Sequence, residues 1–530
     1  MTDIDTTGMS GEEAVAAFQA EVEAKEKSVS VGSRGYDKLS AHWMDDSPLA
    51  EMLAHGHLLG IPDPAPLMQG RAMKKYLRWT ADRGWMAWDG KVWFKSDEAN
   101  ARKLVAWELK RIFRYLSAED DITPEGIKVA SRLLTKRKTA DVVFFLQGEL
   151  STAPDLWDAQ PHLLNVQNGV VNLSNGKLSA HHYKNYMTKI AAVNYTPGAT
   201  HPDWEAALKA VPADIREWMQ VRYGQAITGY PTDDDVLPVQ TGGGQNGKST
   251  LVNAILAAVG DYGDIVPEKV LLANPGEHPT ELMGLRGLRL AVIEETPEGH
   301  RLPTKRLKDL LGTPTMTARG MRQDFVSWKT SHSLILNTNY IPQVAETDHG
   351  TWRRLALVRF PFKFVDPSEP LMAPNEVHGI PGLRDRIAYD TDGQLEAVLA
   401  WVVAGSVAWY ANKRAQLPQP LTVQSDTQTW RADADLILAY SMERLTFDPS
   451  SVVPAKDLYA DFSSWLEASG KQPWNDQTFA SRFGGHELAE KNHVEKKRVR
   501  TPAMVSRRVS TQLVPPLSDQ FMAWTGVRFN

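Results

Sequence analysis

Nine consecutive residues have the types and spacing to hold a nucleoside triphosphate: Gly242, Gly243, Gly244, Gln245, Asn246, Gly247, Lys248, Ser249 and Thr250. They fit the pattern G-x-x-x-x-G-K-[ST] and run into an apolar, helix-prone stretch from Leu251 to Val259. Glycines let backbone N–H groups close around phosphate oxygens, and the following helix offers them its positive end. Lys248 has the reach for β- and γ-phosphates, and the Ser249 hydroxyl suits Mg²⁺. ATP and Mg²⁺ are the expected cofactors.

A triphosphatase also needs carboxylates for the metal and the attacking water. Ala291-Val292-Ile293 is an apolar run ending in Glu294 and Glu295, about 45 residues past the loop. Glu294 would serve the Mg²⁺ shell with Ser249, and Glu295 would polarise the water. Ser333 to Asn337 is a second apolar strand pattern, and Asn339 just beyond it either positions the water or simply terminates the strand. Arg353 and Arg354 precede a third, Leu355 to Phe360. Such a pair is either a surface ion-pair donor or, in a ring ATPase, a charge for the neighbour's γ-phosphate.

These groups need a sheet to carry them. Val236 to Gln240, Leu288 to Ile293, Ser333 to Leu336 and Leu355 to Phe360 are strand-like and alternate with helical patterns, as in an α/β nucleotide-binding fold. Pro238 is awkward in a central strand because it removes a ladder donor. Upstream, Gly84 to Trp88 and Lys91 to Lys95 flank an Asp89-Gly90 turn and form a hairpin pattern; a second hairpin turns at Asn175-Gly176. Helical patterns cover Glu98–Leu116 and Thr123–Lys136, and Ser47-Pro48 reads as a helix start. The tryptophans at 79, 85, 88 and 93 suit core packing better than base stacking, and His181-His182 lacks the partners of a metal site. Helices are expected at Pro202–Gly229, Leu395–Arg414 and Ala432–Leu445. In the last eighty residues, helices at Pro454–Ser469 and Asp476–Phe483 precede two basic, β-prone segments, Lys491–Arg500 and Val505–Leu513. That order, two helices and then a basic hairpin, suggests a winged helix-turn-helix, with a solvated basic face as the rival reading.

A chain of 530 residues exceeds one core. Its apolar fraction of 42% and charged fraction of 23% are ordinary for a globular protein. A net charge of −5 confines nucleic-acid contacts to local patches. The absence of cysteine excludes disulfides, thiolate zinc ribbons and cysteine nucleophiles, and fits a location in the host cytosol. The N-terminus is polar and acidic, and the longest apolar run, Ala397 to Tyr410, is too short to span a bilayer, so no membrane association is expected.

Several segments occur in order and resemble a superfamily 3 helicase of the phage/plasmid primase type, related to the helicase part of poxvirus primase-helicases. They are the phosphate loop, the Glu294-Glu295 strand, Lys308–Gly312, Thr317–Gln323, Asn339-Tyr340-Ile341-Pro342 and Trp352-Arg353-Arg354-Leu355. His278–Leu282 and Leu285–Arg289 also fit, and Trp85–Trp93 with Leu163–Tyr195 resemble the family's N-terminal associated region. The resemblance implies a homo-hexameric ring on single-stranded or forked DNA, with Asn339 as sensor and Arg354 as arginine finger. It places Arg322 and Gln323 on a hairpin projecting into the channel, with Arg319 beside them; the usual histidine at the tip is here Gln323.

The fold class expected is α/β: an AAA+-like P-loop ATPase core, a mixed α+β N-terminal region and a C-terminal winged-helix-like domain. The expected divisions are a tail at 1–66, an N-terminal helicase-associated region at 67–200, the ATPase core with its preceding collar helices at 201–395, a helical connector at 396–445 and a DNA-binding region at 446–530. Lys496, Lys497 and Arg498 are the expected duplex contacts there. Fewer than 70 residues precede the resembling region, so primer synthesis is expected from a separate primase, and a primase or polymerase is a candidate partner. The leading expectation is an ATP-driven replicative DNA helicase of a phage or mobile element. The rivals are an origin-binding or helicase-loading ATPase that does not unwind, and an RNA-dependent ATPase.

Overall fold

The computed structural model describes residues 44–56, 72–118, 122–272, 279–294, 302–320, 324–344, 349–472, 474–500, 505–508 and 517–530. Glu295, Arg322 and Gln323 lie outside the described residues. The chain divides into two units, one of residues 1–195 with 259–262, the other of residues 196–258 with 263–530.

In the first unit the Trp85–Trp93 hairpin forms as expected. Trp88 pairs with Trp93, and the Asp89 carboxylate accepts the Lys91 and Val92 amides at 2.8 and 2.7 Å. Gly90 takes a φ of 105°, which a side chain would resist. Trp85 and Trp93 are buried, and Trp93 meets Trp157 edge-on at 5.6 Å, so these rings are core. His181 bonds to Asn165 at 3.0 Å, within the fold. The helix read from Thr123 to Lys136 is interrupted: Pro124–Ala130 is followed by a 3₁₀ turn, and a new helix runs Lys136–Glu149. The Thr135 hydroxyl caps it by accepting from the Lys138 amide at 3.2 Å.

The second unit opens with helices Pro202–Leu208 and Ala213–Ala226. Gln394–Ala411 is the one described helix long and apolar enough to cross a membrane, and here it packs against Ala213–Ala226. At the crossing, a Cβ on Gly224 would come within 2.1 Å of the Gly405 backbone, so both positions need glycine.

Beside this pair lies a five-stranded sheet, wholly parallel. Its strands are β1 (Leu237–Thr241), β2 (Gly263–Val266), β3 (Leu290–Glu294), β4 (Ser333–Thr338) and β5 (Leu355–Arg359). Their spatial order is β5-β1-β4-β3-β2. Every residue of β1 and β4 is buried, as befits parallel strands covered on both faces. The ladder from β1 to β4 begins at Val239, so the donor missing from Pro238 falls beyond its end. Helix α1 (Lys248–Val259) follows β1 through the phosphate loop.

An antiparallel hairpin, Thr315–Ala318 with Val326–Lys329, is inserted between β3 and β4. The helix read from Ala432 to Leu445 is two helices, Leu421–Ala434 and Leu436–Arg444, broken at Asp435. The Asp435 carboxylate caps the second helix and meets His486 at 2.9 Å, with both side chains fully buried.

After Arg444 the chain runs strand, helix, helix, a short helix, strand, strand. The antiparallel order is Leu445–Pro454, Gln520–Phe529, Glu495–Arg500. Among the described residues the basic strand pairs with Gln520–Phe529; residues 509–513 of the expected partner Val505–Leu513 lie outside them. Of that latter segment, Val505 bridges to Val452, while Arg507 and Arg508 pair with Asp457 and Asp461 on helix Ala455–Ala468.

Candidate active site

Because the strands are parallel, the C-terminal ends of β1, β3 and β4 share one edge, the edge where α/β sheets hold ligands. Thr241 stands beside Thr338, and Asn337 beside Glu294, so the loop after β1, the acid of β3 and the amides after β4 converge there.

The loop is shaped by close approaches. Gly247 has a φ of 81°, and a Cβ there would lie 2.6 Å from the Ala210 side chain. A Cβ on Gly242 would lie 2.3 Å from Asn246 Nδ2 and 2.6 Å from the Phe360 carbonyl. Gln245 is also left-handed, at 59°. Gly243 and Gly244 are exposed with open space above them, where phosphates would sit. Asn246 is buried; its Oδ1 accepts the Lys248 amide at 3.3 Å.

Lys248 is buried at the start of α1. Its ammonium donates to Gly242 O at 2.8 Å and to Asn339 Oδ1 at 3.1 Å. The loop lysine and the residue after β4 are therefore in direct contact. Ser249 and Asn339 are exposed at the same edge, Thr250 and Glu294 half-buried. Asn246 Nδ2, Gln240 Oε1 and Asn337 Oδ1 are buried without hydrogen-bond partners among the described residues. Such orphaned amides suit a polar ligand with its water. No group of three or more His, Cys, Asp or Glu converges among the described residues. A divalent cation would thus draw ligands from Ser249, Glu294 and phosphate oxygens.

Sequence reasoning missed the segment after β5. Phe360 donates its amide to Thr241 O at 2.8 Å, and Phe364 to Gln245 O at 2.7 Å. A parallel pair, Lys363–Val365 with Glu376–His378, follows. Gly243, Gly244 and Gln245 with Phe360, Phe362 and Asn375 line a cleft of about 370 Å³ beside the loop. Only a phenylalanine–proline cluster after β5 signalled it.

Arg354 lies at the other edge. Its carbonyl accepts the Leu237 amide, at the start of β1, whereas the loop follows the end of β1. The length of β1, about 16 Å, separates the two at ~3.3 Å per residue. Arg354 is 13% exposed and pairs with Asp235 at 3.2 Å. Arg319 lies near the hairpin tip, its guanidinium 4.9 Å from the Phe325 ring. Lys496, Lys497, Arg498 and Arg500 are exposed along strand Glu495–Arg500, though Lys497 pairs with Glu495 at 3.1 Å.

Comparison with known proteins adds names to this geometry. Residues 68–211 match the family described as D5 N terminal like, and residues 432–512 the family described as Poxvirus D5 protein-like. A candidate primase of African swine fever virus is 26% identical over 328 residues, covering 59% of this chain and 34% of that protein. A candidate helicase of Frog virus 3 is 26% identical over 246 residues, covering 44% of this chain and 25% of that protein. The chain thus spans about a third or less of these relatives' length. Among solved structures, the C-terminal region of NrS-1 aligns with a TM-score of 0.44 at 10% identity, over 88% of this chain and 100% of that one. The chain resembles the viral primase and helicase proteins of the D5 type, and their names support a replicative, helicase-like role.

Proposed function

We propose that this relative of the D5-type viral proteins is an ATP-driven DNA helicase that works as a homo-hexameric ring in the cytosol. A primase or polymerase would be a partner at the fork. The observation that carries the reading is the contact of Lys248 with Asn339 at an edge that also bears Glu294. A phosphate-loop lysine held by the residue after the neighbouring strand couples nucleotide occupancy to that strand. The strand order β5-β1-β4-β3-β2, with the lysine loop after β1, supports an AAA+-like core.

Within the site, Gly242 to Thr250 wrap the triphosphate through backbone N–H groups, and Lys248 leaves the Gly242 carbonyl for the β- and γ-phosphates. Ser249 and Glu294 hold Mg²⁺, which when bound neutralises charge on the phosphate oxygens. Glu295 orients and deprotonates the attacking water. Arg354 serves the site of the adjacent subunit, since its own loop is a strand's length away. Arg319, Arg322 and Gln323, which fall in sequence between strands Thr315–Ala318 and Val326–Lys329, grip the DNA strand. The helix–strand–helix–helix–short helix–strand–strand order after Asp435 supports a winged-helix reading of the C-terminal region, with Lys496, Lys497 and Arg498 on duplex phosphates.

The test is DNA-stimulated ATPase together with displacement of a labelled strand from a fork. Both are expected in the wild type and neither in Lys248→Ala. Slow hydrolysis with no displacement would overturn the helicase reading in favour of a nucleotide-switched origin-binding or loading protein.

A further inference from the structure

The edge remote from the phosphate loop carries a small charged assembly that the proposed chemistry does not yet use in full. Asp235 precedes β1 in the left-handed region, with a φ of 53°, a conformation aspartate tolerates better than most residues. One of its oxygens, Oδ2, faces two guanidinium groups: Arg354 Nη2 at 3.2 Å and Arg353 Nη2 at 3.7 Å. Asp234 next to it is already engaged by Arg222 through both oxygens. Among the described residues, the ion pairs of Arg353 and Arg354 are both with Asp235. Two permanent positive charges thus share one carboxylate, which leaves one net positive charge.

The two arginines are presented differently. Arg354 is 13% exposed, its Nη1 donating to Gly350 O at 2.5 Å, and its Nε is buried without a partner. Arg353 is 46% exposed. The inner arginine is fixed by a carbonyl and a carboxylate, while the outer one is free to extend. Without Asp235, two adjacent guanidiniums would repel, and the buried one would lose its counter-charge.

We propose that Asp235 is a positioning residue that holds Arg353 and Arg354 side by side as a two-armed anion receptor for the triphosphate bound by a second copy of this chain. The inference rests on the ring reading, and it adds Arg353 as the second arm and Asp235 as the residue that sets both. The carboxylate keeps the pair together and lowers its charge to one, so the receptor is complete only when the neighbour's polyanion arrives.

The test uses the full chain with ATP and DNA. Asp235→Ala is expected to lower kcat roughly tenfold or more while moving KM by less than about twofold, the scale of one charged hydrogen bond lost from the transition state. Asp235→Glu should restore part of the loss, and Asp235→Asn, which keeps the shape without the charge, should not. Arg353→Ala should also lower kcat. The decisive measurement is mixing with Lys248→Ala subunits, which lack a working loop but keep the receptor. Activity should reappear for Asp235→Ala mixtures, as it should for Arg354→Ala mixtures. Recovery with Arg354→Ala but not with Asp235→Ala would overturn the inference and leave the ring reading standing, because Asp235 would then act within its own subunit. An unaffected Arg353→Ala would overturn the second arm. Recovery in neither mixture would remove the ring reading, and this inference falls with it.

Discussion

Lys248 and Asn339, 91 residues apart, meet at 3.1 Å, ammonium to amide oxygen, where β1 and β4 end. In the proposed mechanism this contact joins the residue that would bind phosphate to the residue that would report on it. Asn339→Ala should therefore weaken turnover more than binding. A hydrogen bond to a charged group is worth about 1.5–3 kcal/mol, which corresponds to a fall in kcat of roughly tenfold to a hundredfold. Steady-state kinetics with a nucleotide-affinity measurement checks this; equal losses in kcat and affinity would make Asn339 only part of the lysine's packing.

Glu295→Gln should bind ATP as the wild type does and turn over almost none of it. In the proposed mechanism the carboxylate acts on water, so the amide should leave the phosphate contacts intact. Fluorescent-nucleotide binding alongside phosphate release measures both. Wild-type turnover by Glu295→Gln would remove the residue from the mechanism.

Arg354→Ala should reduce hydrolysis by about 10³-fold, the scale of arginine fingers. Binding of ATP to isolated subunits should be unaffected, because the residue stands at the start of β1 and the loop at its end. A loss of binding in dilute, unassembled protein would mean that Arg354 supports its own fold instead.

Replacing Lys496, Lys497 and Arg498 with alanine should flatten the dependence of duplex affinity on salt. Each lost phosphate contact reduces the slope of log K against log salt by about 0.9. Basal ATPase should be untouched, since the proposed motor residues lie between Gly242 and Arg354. An unchanged slope would make strand Glu495–Arg500 a solvated face.

His332 precedes β4 and is buried, with only the Leu310 backbone, among the described residues, favouring its protonated form. Burial pushes its pKa down to about 4. The unfolded chain, near 6.5, then binds a proton that the folded chain refuses. Stability from this group is complete above about pH 6.5 and is lost as pH falls towards 4, with a slope approaching 1.4 kcal/mol per pH unit. Thermal melts across that range should show the decline in wild type and less of it in His332→Leu. Superimposable profiles for the two proteins would refute the assignment.

Much of the site was legible because its chemistry is local in sequence. The phosphate loop, the β3 strand ending in Glu294 and the β4 strand leading to Asn339 are each short contiguous patterns, and all three come to one edge. What escaped depends on distant pairs. Asp235 looks like a turn residue until Arg354, 119 residues later, is folded against it. The cleft beside the loop needs Phe360 to hydrogen-bond to Thr241, a register no local pattern encodes. The new helix at Lys136 was hidden because Lys136–Lys138 is equally good helix before or after the break, and only the Thr135 cap separates the two. The pairing of strand Glu495–Arg500 with Gln520–Phe529 was not read because Val505–Leu513 is nearer in sequence and as β-prone.

If Arg354 serves a neighbour's site as proposed, the one-way run of the sheet also constrains how copies can associate. The nucleotide cradle lies past the ends of the strands, and the arginine pair lies before their beginnings. A pair related by a two-fold axis would bring like surface to like and leave each cradle facing another cradle. Only head-to-tail stacking lets every subunit both give and receive, and such stacking is satisfied throughout only when the chain of contacts closes on itself. A subunit left at an open end would hold fuel it cannot burn.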